Sequence, residues 1–422
     1  MEQTFALDWQ RHHTGGLVVR LLATFSGQPP ADVARVPLSL CLVLDRSGSM
    51  EGDRLAAARA AAATIARRMH PADRIGVVTF DHDVATLAEP DVGAAQPDLL
   101  ARLEAVEAGG STNLSGGWLR AEQLLHPLTG EGRATRILLL TDGHANHGLT
   151  APAQLRALAA GARSRGITTS TVGFGEDYDE DLLRGIADAG GGNAWYIERP
   201  DQASAVFGEE LAGLLSLVAQ DVQVTLRLRG PATHVEVLQD WPATALVNGV
   251  RLDLGDLYAR EPKRVLARWV VPAAHVAPDA VLGEAECTAA VVTPTGIERR
   301  ATMTPITASF DAQERVEPVI TREVLAAEAA RARQQAVELG DDGDTTGAAN
   351  LLSSAAAAMA PLASHDPEAA QQVRELEAMA RKYGQGDISG SDRKYLKQRA
   401  YNQRRGKAGY DAMLRRDPDA EA

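Results

Sequence analysis

The chain has 422 residues, 45% of them hydrophobic and 23% charged, an ordinary globular composition with length for roughly two to four domains. Its net charge of −13 argues against nucleic acid as a partner of the whole protein, because phosphate contacts require a basic surface. Two cysteines, Cys41 and Cys287, exclude a disulfide scaffold and a CxxC-type zinc site, and no apolar run reaches the length of a membrane span. The first residues, MEQTFALDWQRHHTGG, lack the apolar stretch of a secretory signal, so a cytoplasmic location is the expectation.

Residues 1–36 read as two extended segments, TFALDW and LVVRLLATF, joined by the turn signal HHTGG. From 37 to 215, short apolar runs (LSLCLVLD, RIGVVTFD, TRILLLTDG, ITTSTVGFG, NAWYIE) alternate with helical stretches. In the first of these, Leu55, Ala58, Ala62, Ile65 and Met69 mark one helix face. VATLAE is a candidate hairpin partner for the second run. This alternation predicts an α/β domain with a doubly wound, mostly parallel sheet covered by helices on both faces. Ligands of such sheets sit beyond the carboxyl ends of the strands.

Between 216 and 315 the period becomes two, in DVQVTLRLRG, THVEVLQD, ALVNGVRLDLGDL, KRVLARWVVP and AECTAAVVTPTG, which predicts about five strands of an antiparallel β-sandwich. Such a sandwich has open edges, and the two N-terminal strands have no partner in an α/β domain. The economical arrangement joins them to the sandwich and makes the α/β domain an insertion. Residues 316–422 form an Ala-rich α-helical tail with three helices up to about residue 383. Segment 391–416 then carries nine basic residues, with Tyr395, Tyr401 and Tyr410 interleaved. It is a candidate second partner surface, set against the plainer reading of a solvated helix.

Chemistry concentrates at three points of the α/β region. Asp45, Ser47 and Ser49 follow the first strand in DRSGS; Asp142 follows another in LLLTDG; Thr112 lies in the loop GGSTNLSGG. In a doubly wound sheet all three share one rim, gathering two carboxylates and three hydroxyls with no thiolate. Carboxylate, hydroxyl and water oxygens suit a hard divalent cation; Mg²⁺ takes six of them at about 2.1 Å, and Mn²⁺ and Ca²⁺ accept the same donors. His144 and His147 beside Asp142 are read as surface loop residues, Asp81 and Asp83 as solvated rim acids, and Cys41 as a small core residue. DDGDTTGAANLLS (341–353) places Ser353 where a calcium loop needs a bidentate Glu, so acidic helix caps are the better reading.

This D-x-S-x-S, T and D arrangement in an alternating α/β chain resembles the von Willebrand factor A domain and its metal-ion-dependent adhesion site, of a bacterial intracellular type. The resemblance covers about 37–215. It implies a metal at Asp45, Ser47, Ser49, Thr112 and Asp142, with Ser47 and Ser49 binding directly and both carboxylates acting partly through water. It further implies a protein partner that supplies an Asp or Glu to the metal. The expected function is therefore a non-catalytic, metal-dependent adaptor. An accessory subunit of an ATPase, chelatase or kinase–phosphatase system is the alternative, and a metal-dependent hydrolase a remote one. No P-loop, GxSxG elbow or HExxH is present in the sequence.

Overall fold

The computed structural model describes residues 1–13, 15–28, 35–92, 97–130, 132–142, 145–175, 178–199, 202–230, 232–259, 261–273, 279–293, 296–310 and 313–405. The chain divides into two compact units. One gathers Met1–Gly27, Val222–Ala289 and Arg300–Ala422; the other gathers Gln28–Asp221 and Ala290–Arg299.

The N-terminal strands are β1 (Glu2–Arg11) and β2 (Leu17–Ser26). The α/β unit then runs β3 (Leu38–Asp45), α1 (Asp53–Arg68), β4 (Arg74–Phe80), β5 (Val84–Val92), α2 (Pro97–Glu104), α3 (Leu114–Leu125), β6 (Ala134–Thr141), α4 (Pro152–Ser164), β7 (Ile167–Phe174), α5 (Glu180–Gly190), β8 (Gly191–Ile197) and α6 (Ala203–Leu215). Every residue of β3, β6, β7 and β8 is buried, as strands with helices on both faces must be. The sheet order is β5-β4-β3-β6-β7-β8. All pairings are parallel except the β4–β5 hairpin. The chain winds outward from β3 first to β4 and then, on the other side, to β6. The switch point therefore lies between the carboxyl ends of β3 and β6, where open α/β sheets take their ligands. A buried carboxylate, Glu210, fastens α6 to the sheet by accepting from Ser170 Oγ at 2.7 Å, Asn193 Nδ2 at 3.0 Å and Trp195 Nε1 at 2.7 Å.

The remaining strands are β9 (Leu217–Leu228), β10 (His234–Val237), β11 (Ala243–Leu246), β12 (Gly249–Tyr258), β13 (Lys263–Val271), β14 (Asp279–Thr293) and β15 (Gly296–Ser309). They form two sheets, β1-β2-β13-β10 and β11-β12-β9-β14-β15. The N-terminal pair is placed by β13, whose Lys263–Val271 runs antiparallel to Phe25–Leu17 of β2. Trp269, Val19, Leu21 and Phe25 are buried in this sheet, and Trp9 meets Phe310 edge-on at 5.6 Å between ring centroids. The described residues hold seven strands after the α/β region, against the five that periodicity predicts. ALVNGVRLDLGDL is a hairpin, β11–β12, rather than one strand. β15 escapes prediction because its first half is exposed on both faces, so no alternation marks it.

The tail comprises α7 (Pro318–Asp341), α8 (Thr345–Ala363), α9 (Pro367–Gln385) and α10 (Gly390–Arg405). Asp344, in the rejected calcium loop, caps α8 by accepting from Gly347 N at 2.8 Å. The described part of the basic segment corrects the expectation of a partner surface or a solvated helix. Along α10, Tyr395, Leu396, Gln398, Arg399, Tyr401 and Asn402 are buried. Arg399 donates to Glu375 at 2.8 Å, Arg393 to Asp341 at 2.6 Å and Arg404 to Asp240 at 2.7 Å. Arg399 serves internal packing, Arg393 and Arg404 pair with acids nearer the surface, and Tyr395 and Tyr401 are core residues. Residues 406–416 of that segment lie outside the described residues. No described helix is long and apolar enough to cross a membrane.

Candidate metal centre

Asp45 ends β3, where full burial fixes the strand and removes its last side chain from solvent. The chain then turns on Asp45 itself, whose Oδ1 accepts from Ser47 N at 2.8 Å, the local closure that Asp side chains favour. Its Oδ2 accepts from Thr141 Oγ1 at 2.5 Å, so the ends of β3 and β6 are tied through their side chains. Met50, fully buried, anchors the short turn Gly48–Met50 and leaves Ser49 exposed at the surface. The oxygens continue in a chain: Ser47 Oγ lies 3.2 Å from Ser49 Oγ, and Ser49 Oγ donates to Asp142 Oδ1 at 2.8 Å. Asp142 Oδ2 accepts from Arg54 Nη1 at 2.6 Å.

Thr112 enters from the loop before α3. It is buried, and its backbone is clamped: its N donates to Asn146 Oδ1 at 2.7 Å and its carbonyl accepts from Asn146 N and His147 N at 3.2 Å each. The same loop docks on the β3 turn through Gly109 N to the Arg46 carbonyl at 2.7 Å and Gly48 N to the Gly110 carbonyl at 3.0 Å. Thus Asp45, Ser47, Ser49 and Asp142 are joined by side-chain and amide hydrogen bonds, with Thr112 held on the same rim by its backbone. His147 is exposed; His144 lies outside the described residues. Cys41 is buried in β3, and burial pushes its thiol up to about 12.

Electrostatics single out Asp45. Burial pushes its carboxyl up to about 6, against the lowering effect of hydrogen bonds from Thr141 and Ser47, and the nearby Asp142 pushes it further the same way. Its partners among the described residues are neutral donors. An oxygen-only donor set built around a desolvated carboxylate fits a hard divalent cation, whose charge would offset what neutral donors leave uncompensated.

Asp81, His82 and Asp83, at the end of β4, form a second compact group whose ligand atoms all lie within 4.8 Å of one another. Asp81 is already engaged: it accepts from Asp83 N at 2.8 Å, Gly110 N at 3.1 Å and Arg46 Nη2 at 3.2 Å. Burial pushes the Asp81 carboxyl up, but those amides and the Arg46 and His82 charges outweigh it and hold it below the usual range. Asp81 is therefore a buried organiser of the Thr112 loop, not the solvated rim acid expected from sequence. A Cβ on Gly109 would come 1.9 Å from Asp81 Oδ2, so only glycine lets the loop approach this closely. Sequence reading also missed Thr141, Arg54, Arg46 and Asn146. Thr141 is the one with a signal, standing directly before Asp142 at the strand end.

Residues 39–208 match the family model of the von Willebrand factor type A domain. The chain is 32% identical over 208 residues to the protein sll0103 of Synechocystis, covering 49% of this chain and 48% of that protein. It is 32% identical over 204 residues to YfbK of Escherichia coli, covering 48% and 35% respectively. The chain thus spans about half or less of the length of these relatives. Among solved structures it resembles a von Willebrand factor type A protein from Catenulispora acidiphila (TM-score 0.69, 18% identity, 95% of this chain and 96% of that one). It also resembles the ArnB paralog VWA2 from Sulfolobus acidocaldarius (TM-score 0.60, 16% identity, 96% and 98%). At such identities the likeness concerns the fold. With the β3–β6 switch point, the strand order and the family match in agreement, residues 39–208 of this chain are a von Willebrand factor type A domain.

Proposed function

We propose that the protein is a non-catalytic, metal-dependent adaptor. Asp45, Ser47, Ser49, Thr112 and Asp142 hold a divalent cation, Mg²⁺ or by the same donor chemistry Mn²⁺ or Ca²⁺, which captures an Asp or Glu side chain of a protein partner. The observation that supports this reading is the continuous chain of hydrogen bonds from Thr141 through Asp45, the Ser47 amide and hydroxyl and Ser49 to Asp142 at the sheet's switch point. When bound, the cation supplies a concentrated positive charge that a single carboxylate can meet. The protein's own groups prepare for it. Asp45 provides a desolvated negative charge, Thr141 and the Ser47 amide fix its orientation, and exposed Ser49 sits where a partner has access. The clamp of Asn146 on Thr112 holds the second loop in register.

The test is affinity capture with the full chain as bait, in Mg²⁺ and in EDTA, beside Asp45→Ala. The proposal predicts proteins retained by the wild type in Mg²⁺ and lost both with EDTA and with the variant, the circular dichroism spectrum staying unchanged. The same proteins captured under all three conditions would refute it.

A further inference from the structure

Arg54 is the second residue of α1, where the helix dipole favours an anion over a cation. Its position follows from the site. Nη1 lies 2.6 Å from Asp142 Oδ2, while Asp142 Oδ1 accepts from Ser49. The guanidinium rests against Gly175 just after β7, where a Cβ would come 2.9 Å from Nη2 and the backbone φ of +74° itself calls for glycine. The Arg54 side chain is 32% exposed and that of Asp142 0%, so the pair turns its guanidinium, not its carboxylate, toward solvent.

We propose, resting on the metal-binding reading above, that Arg54 sets the charge of the site and so its selectivity for anions. Arg54 neutralises Asp142, so a divalent cation bound beside it meets the uncompensated charge of one carboxylate, Asp45, instead of two. The loaded site keeps a net positive charge and is completed by an anion, the carboxylate of an acidic residue. The same arrangement has two opposed consequences. A cation alone is held less tightly than the two acids would allow, and a carboxylate ligand is held more tightly. Arg54 is thus a specificity-determining residue whose effect on metal and on ligand has opposite sign.

The experiment uses the full chain, with Mn²⁺ alone titrated by calorimetry and acetate binding to the Mn²⁺-loaded protein followed by water-proton relaxation. Arg54→Gln removes the charge but keeps a donor for Asp142; Arg54→Lys keeps the charge. Removing the positive charge paired with Asp142 should tighten Mn²⁺ binding by roughly tenfold in Arg54→Gln and weaken acetate binding by roughly tenfold. Arg54→Lys should stay close to wild type in both. Mn²⁺ bound by Arg54→Gln no more tightly than by wild type, or acetate bound equally well, overturns the proposal; a parallel loss of Mn²⁺ in both variants does so too, by reducing Arg54 to a structural prop. If wild type and Asp45→Ala take up Mn²⁺ alike, the metal site itself fails and the Arg54 proposal falls with it. That outcome is distinct from a wild type that binds at Asp45 while Arg54→Gln does not tighten.

Discussion

The rim of the α/β sheet and the interior of the helical tail both bury acidic groups, and they treat them differently. In the tail, Glu375 is met by Arg399 at 2.8 Å, the two side chains being 6% and 5% exposed; charge is closed on charge within the chain. On the rim, Asp45 is equally hidden, but it is met by a hydroxyl and an amide. Burial pushes Asp45 up to about 6, and hydrogen bonds from neutral donors offset this only in part because they orient a carboxylate without cancelling its charge. A buried acid with a cationic partner is a structural element. A buried acid with neutral partners, one strand end from a second acid, is the arrangement on which the proposed metal site rests.

Breaking the closed pair should have the largest structural effect. Glu375→Ala leaves the Arg399 guanidinium buried without its carboxylate and should cost about 3–5 kcal/mol, read by urea unfolding, with metal binding at the rim unchanged. An equal loss of metal binding would show that the tail and the rim are not independent. On the rim, Thr141→Val removes the hydroxyl that Asp45 Oδ2 accepts and should cost about 1–2 kcal/mol of stability. Unlike the tail variant, it should also weaken metal binding. The exposed pair of Arg393 and Asp341, at 41% and 49% exposure, supplies the lower limit. Arg393→Ala should change stability by about 0.5 kcal/mol or less, and less still in high salt.

How much of this is legible in the sequence depends on how far apart the partners stand. The α/β fold is legible because each strand is a short apolar run whose environment is stated locally. Asp45, Ser47 and Ser49 are legible because they are neighbours; Thr112 and Asp142 become so once strand order places their loops on the same rim. Arg54 is not, because its partner Asp142 is 88 residues away and an arginine in the first turn of a helix reads as solvent-facing. α10 misleads for the same reason. Its arginines look like a basic surface until Glu375, Asp341 and Asp240 arrive from distant segments. β15 is hidden by exposure on both faces, which removes the alternation that marks a strand.

The most direct test of the central claim is a calorimetric titration of Mg²⁺ into the full chain and into Asp45→Asn, a substitution that preserves shape and removes the charge. The wild type should bind a single ion and the variant none, while both melt cooperatively. Equal uptake by the two proteins, or a wild type indifferent to Mg²⁺, would contradict the account.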